Sequence, residues 1–161
     1  MKRSDGELRH FQGEALESVF NYFAGQIFKT AEPEVREFLM RTALLQRMTA
    51  DMAADLSGNP NAANLLDYFY RRRLFIDRRG EPPYSYQYHD LFRAFLLDQL
   101  AQVFATDGLS ALRQQAGMIL ERAQRYNEAF ALYQAASDWD SAVQLTLAQA
   151  PTLLAQGRGG T

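Results

Sequence analysis

Cysteine is absent from this chain of 161 residues. That excludes disulfides, thiol nucleophiles and cysteine-based zinc sites, and it fits a reducing compartment. Histidine occurs only as His10 and His89, too few for a histidine-rich metal site. Lysine occurs only as Lys2 and Lys29, neither after a glycine, so the glycine-lysine step of a phosphate-cradling P-loop is missing. No GxGxxG and no HExxH occurs, and no carboxylate pair or serine elbow marks a catalytic couple. Catalysis by this chain alone is not expected, and neither a metal nor a cofactor bound by it alone. No apolar run approaches the roughly 18 residues of a membrane span. The polar start Met1-Lys2-Arg3-Ser4-Asp5-Gly6-Glu7 lacks the apolar stretch of a signal peptide. A cytoplasmic protein without a membrane partner is expected. With 17 basic and 19 acidic residues the net charge is −2, so no global basic surplus points to nucleic acid.

What is present is an ordinary globular composition, 47% hydrophobic and 22% charged, enough to bury a core. Residues 1–14 lack periodicity and are expected to be a flexible leader. Leu16, Val19, Phe20, Phe23, Ile27 and Phe28 follow at helical steps, with Gly25 weakening the end of that helix. Pro33 opens a helix lined by Val35, Phe38, Leu39, Thr42 and Leu45. Thr49 suits the cap of a short helix ended by Gly58. Asn59-Pro60 reads as cap and first turn of the next helix, whose inner face is Leu65, Leu66 and Phe69.

The period then changes. Leu74-Phe75-Ile76 is a short apolar run, and Arg78-Arg79-Gly80-Glu81-Pro82-Pro83 is turn chemistry. Tyr84, Tyr86 and Tyr88 alternate with Ser85, Gln87 and His89, which is strand spacing. Asp90 suits a helix cap, followed by Leu91, Phe92, Phe95, Leu96, Leu100 and Val103 at helical spacing. The fold class expected is mainly α. A winged-helix domain of three helices, a short β-hairpin and a further helix occupies residues 15–106. Antiparallel, tetratricopeptide-like helical hairpins begin at 107–156. In this second region Tyr126-Asn127-Glu128-Ala129 with Leu132 recurs 13 positions later as Trp139-Asp140-Ser141-Ala142 with Leu145. The aromatic would fill a groove, and the alanine would allow close helix approach. So few repeats suggest that the array continues elsewhere. Residues 157–161 look like a flexible tail.

Two clusters carry chemistry. Arg71, Arg72, Arg73, Arg78 and Arg79 fall at the end of the recognition-position helix and in the wing, where phosphate contacts would suit a DNA reader. Arginines at a helix end also complement its dipole and carbonyls. His89 falls where a strand passes into a helix, beside Asp90. Free amides and an imidazole there make an anion-binding corner. A half-buried histidine satisfied by backbone fits the spacing too.

The blocks Tyr22 to Phe28, Pro33 to Leu39, Arg41-Thr42, Leu66 to Phe75 and Tyr86 to Leu96 resemble MalT-like, LuxR-type transcriptional regulators of the signal-transduction ATPases with numerous domains. Asn127-Glu128-Ala129 and Ser137 to Ala142 resemble the start of their helical-repeat region. The likeness covers roughly 16–155. It implies a regulatory module whose partners are a P-loop ATPase domain and a repeat sensor of the same parent chain. ADP or ATP would be bound in the parent, and DNA would be read by a C-terminal helix-turn-helix absent here. Tyr88-His89-Asp90-Leu91 is similar to the Met-His-Asp motif of related apoptotic and plant immune ATPases. The resemblance makes His89 the residue that senses ADP phosphate, with Asp90 orienting the turn and Tyr88 replacing methionine. It also turns Arg71, Arg72 and Arg73 towards other domains. A stand-alone winged-helix DNA-binding protein is the alternative that the arginines keep open.

Overall fold

The structure, a computed structural model, describes the backbone of residues 4–157 and the side chains of residues 17–151. The described residues are mostly helical with one small antiparallel sheet, and they fall into two compact units, Met1–Leu100 and Ala101–Thr161. The division lies six residues before the expected boundary, inside the last turns of a helix.

The first unit begins with α1 (Ser4–Thr30), which continues through Gly25. The leader expected at 1–14 is therefore helical from Ser4 onward. Next come α2 (Pro33–Thr42), α3 (Ala50–Ser57) and α4 (Ala62–Arg71). Pro33 stands at the start of α2, where no amide partner is lost. The Thr49 side chain accepts the Met52 amide at 3.3 Å, and Gly58 closes α3 in the left-handed region at φ 70°. Asn59 does not cap α4. Its Oδ1 accepts the Asn61 amide at 2.8 Å in a tight turn, and Asn61 takes the cap position.

Strands β1 (Ile76–Arg79) and β2 (Ser85–Tyr88) form the expected hairpin. Arg78 and Arg79 lie in β1 and not in the wing tip, and the apolar run at Leu74 and Phe75 precedes the strand. Arg73 and Phe75 have φ of 54° and 56°, so the chain leaves α4 through a left-handed turn before it can extend. Met48 adds a bridge to the free edge of β2: the Met48 and Tyr86 amides each donate to the other's carbonyl. Helix α5 (Asp90–Val103) follows. The core combines Phe38, Leu39, Leu45 and Met48 with Leu56, Leu66, Tyr88, Phe92, Leu96 and Leu100. Leu91 and Val103, counted on the inner face by spacing, are exposed.

The second unit contains α6 (Thr106–Arg122), α7 (Tyr126–Ala135) and α8 (Trp139–Gly157), stacked in order α6 on α7 and α7 on α8. The 13-residue echo has a structural counterpart. Gln124 and Ser137 both have left-handed φ, near 60°, and each is followed by a helix starting two residues later. In both turns the two amides after the helix return to its last carbonyls: Gln124 to Glu121 and Arg125 to Leu120, then Ser137 to Gln134 and Asp138 to Tyr133. Ala129 and Ala142 are buried as expected, but Trp139 is exposed and fills no groove. Hydrogen bonds from Ser141, then that from Gln114, hold the Asp138 carboxyl below its ordinary range and cap α8. The tail beyond Gly157 lies outside the described residues.

Left-handed serine costs roughly 1–2 kcal/mol, of which glycine's larger unfolded-state entropy cancels about half. Ser137→Gly is expected to stabilise the second unit by about 0.5–1 kcal/mol, read as a higher urea midpoint with unchanged slope.

Candidate functional site

The hairpin and the start of α5 meet at His89. Its backbone amide donates to the Phe75 carbonyl at 2.9 Å, which carries the ladder one step past β2. Its carbonyl accepts the Arg93 amide at 2.9 Å. His89, not Asp90, thus holds the cap position of α5, while Asp90 is the first helical residue and is exposed. The imidazole lies edge-on to the Phe75 ring, with centroids 6.2 Å apart. Its Nε2 is 3.4 Å from Oδ1 of Asp77, and the two side chains are 48% and 57% exposed. His89 is therefore an open, solvent-facing group.

Residues on either side anchor this corner to α2. The Tyr88 and Thr42 hydroxyls are 2.8 Å apart, both fully buried, and Thr42 also donates to the Phe38 carbonyl. Burial pushes the Tyr88 hydroxyl well above its ordinary value, so it stays protonated and bonded. The Arg93 guanidinium donates to the Ala43 carbonyl at 2.8 Å. Tyr88 thus joins β2 to the core, and its difference from methionine adds a polar tether.

The five arginines separate into roles. Arg71 and Arg78 both reach Asp67, at 2.7 and 3.0 Å. Arg78 is also held between the rings of Tyr70 and Tyr84, each 4.2 Å from its guanidinium carbon. This clamps the wing to α4. Arg72 lies over the Tyr68 ring at 5.2 Å, and Arg73 occupies the left-handed turn after α4. Arg79 is exposed on β1, on the same face as Asp77. The structure therefore does not gather Arg71, Arg72, Arg73, Arg78 and Arg79 into one free basic patch. Sequence reasoning missed Asp67 and Asp77. Both are ordinary acidic positions until the register of Ile76 with Tyr88 and of Asp77 with Gln87 is known.

The corner presents an exposed imidazole whose Nε2 faces the Asp77 carboxylate; an imidazole of this kind can donate to an anionic oxygen. Among the described residues, no group of three or more His, Asp or Glu side chains is placed to hold a metal, and no helix is long and apolar enough to cross a membrane.

Residues 24–107 match the MalT winged helix domain family. A stretch of 89 residues is 30% identical to the serine/threonine-protein kinase PknK of Mycobacterium tuberculosis, covering 55% of this chain and 8% of the kinase. A stretch of 99 residues is 25% identical to the HTH-type transcriptional regulator MalT of Cronobacter sakazakii, covering 62% of this chain and 11% of that regulator. MalT of Klebsiella pneumoniae is 26% identical over 88 residues, 55% of this chain and 10% of that protein. The chain thus spans about a tenth of the length of these relatives.

Proposed function

Because the chain belongs to the MalT winged helix domain family, we propose that it is the non-catalytic coupling module of a MalT-like transcriptional regulator. It would link the nucleotide state of a P-loop ATPase domain to a helical-repeat sensor in the same parent chain. The observation that carries this reading is His89: exposed at a strand-to-helix corner, yet fixed by backbone bonds to Phe75 and Arg93. An imidazole so placed is accessible to a ligand presented by another domain. His89 would donate to a phosphate oxygen of ADP held by the ATPase domain, favouring the closed packing of a two-state element. Inducer with ATP would favour the open one.

The relatives support an output-neutral role. A kinase and an HTH-type regulator have different outputs by name, and each carries a similar segment amounting to about a tenth of its length. The DNA-reading alternative has less support, since Arg71 and Arg78 are already engaged by Asp67. In a parent regulator carrying this module, His89→Ala should raise reporter output in the absence of inducer several-fold. Basal output equal to wild type, at equal protein level, would count against the reading.

A further inference from the structure

Strand alternation gives the hairpin two faces. Ile76, Tyr86 and Tyr88 point into the core, while Asp77, Arg79, Ser85 and Gln87 are on the opposite face. His89 extends that outer face, because its amide prolongs the ladder to Phe75. The register places Asp77 opposite Gln87, hence diagonal to His89, which brings carboxylate and imidazole to 3.4 Å. Asp77 therefore has a cationic or ionisable side chain on either side: His89 across the hairpin and Arg79 two residues along its own strand. A carboxylate occupies the place that an external anion would take.

We propose that Asp77 is an internal competitor for phosphate at His89 and so sets the concentration threshold of the sensing corner. This rests on the reading of His89 as the phosphate contact. An ion pair this exposed is weak, so a phosphate bearing more charge displaces the carboxylate readily when it is held nearby. The same competition raises, by one common factor, the concentration at which any phosphate reaches His89. A nucleotide held at high effective concentration by another domain still exceeds that threshold, and dilute phosphate does not.

The test uses the whole 161-residue chain and inorganic pyrophosphate at constant ionic strength and constant pH. The imidazole Cε1–H resonances report directly, because only His10 and His89 contribute, and the resonance absent from His89→Ala is that of His89. Asp77→Asn should lower the pyrophosphate midpoint of the His89 shift about fivefold relative to wild type. Glu81→Gln, the same charge change in the exposed wing turn, should leave the midpoint where it was. Equal midpoints in wild type and Asp77→Asn would overturn the competition while leaving His89 as a phosphate contact. An equal drop in Glu81→Gln would also overturn it, by showing a general charge effect. No His89 shift in any of the three proteins would overturn the competition and the phosphate contact together.

Discussion

Phe92→Ala should cost the first unit about 3–5 kcal/mol, whereas Leu91→Ala, one residue earlier, should cost under about 0.5 kcal/mol. Phe92 is 1% exposed and Leu91 is 43% exposed. The Phe92 ring is tilted against Phe75 at 5.5 Å, meets Tyr88 edge-on at 5.8 Å and stacks on Phe95 at 6.4 Å. Truncation removes all three contacts and leaves a cavity that neighbouring rings are too rigid to fill. The loss is a large share of a domain's usual 5–15 kcal/mol or so. It also reaches the functional corner, since Phe75 and Tyr88 are the residues that hold His89 from either side. Chemical denaturation followed by circular dichroism separates the two variants. Similar losses at 91 and 92 would contradict the placement of α5.

Gly117→Val should destabilise the second unit by about 2–3 kcal/mol, through overpacking. A Cβ at Gly117 would lie 2.6, 2.9 and 3.0 Å from Cε1, Cδ1 and Cζ of Tyr133. That ring is 2% exposed, and its hydroxyl donates to Glu121 at 2.9 Å, so it is pinned at both ends. The sign is diagnostic in the smaller variant. Gly→Ala inside a helix ordinarily gains about 1 kcal/mol, but Gly117→Ala should lose stability. Gly108→Ala, in the first turn of the same helix and with nothing nearer than 3.7 Å, should not. Combining Gly117→Ala with Tyr133→Leu should cost less than the sum of the two single changes, because the clash disappears. Additive losses in urea unfolding would show that the ring does not set the approach of α7 to α6.

The helices were legible because their inner faces repeat at three and four residues: Leu66 with Phe69, or Phe92 with Leu96 and Leu100. The hairpin was legible because Tyr84, Tyr86 and Tyr88 alternate. Its first strand starts later than the apolar run suggests, for a definite reason. Arg73 and Phe75 adopt left-handed backbone without being glycine, so nothing in the residue types marks the turn that delays β1 to Ile76. Gln124 and Ser137 hide their turns in the same way. The candidate site was half legible. His89 follows from the change of period at the strand-to-helix junction. Its carboxylate partner does not, because the Asp77–His89 pair depends on strand register. Asp67 was silent too, since its bond to Arg78 spans 11 residues and joins a helix to a strand. The tether between Thr42 and Tyr88 spans 46 residues, beyond any local pattern. Leu91, Val103 and Trp139 show the converse: they fit the apolar spacing yet are exposed.

The central claim is that His89 touches a nucleotide phosphate held by a neighbouring domain. The most direct measurement is the dissociation rate of ADP from a parent regulator carrying this module, wild type against His89→Ala. A hydrogen bond to a charged group contributes about 1.5–3 kcal/mol, so the variant should release ADP roughly 10- to 150-fold faster. Release at the wild-type rate, from a variant that unfolds at the wild-type denaturant concentration, would contradict the account.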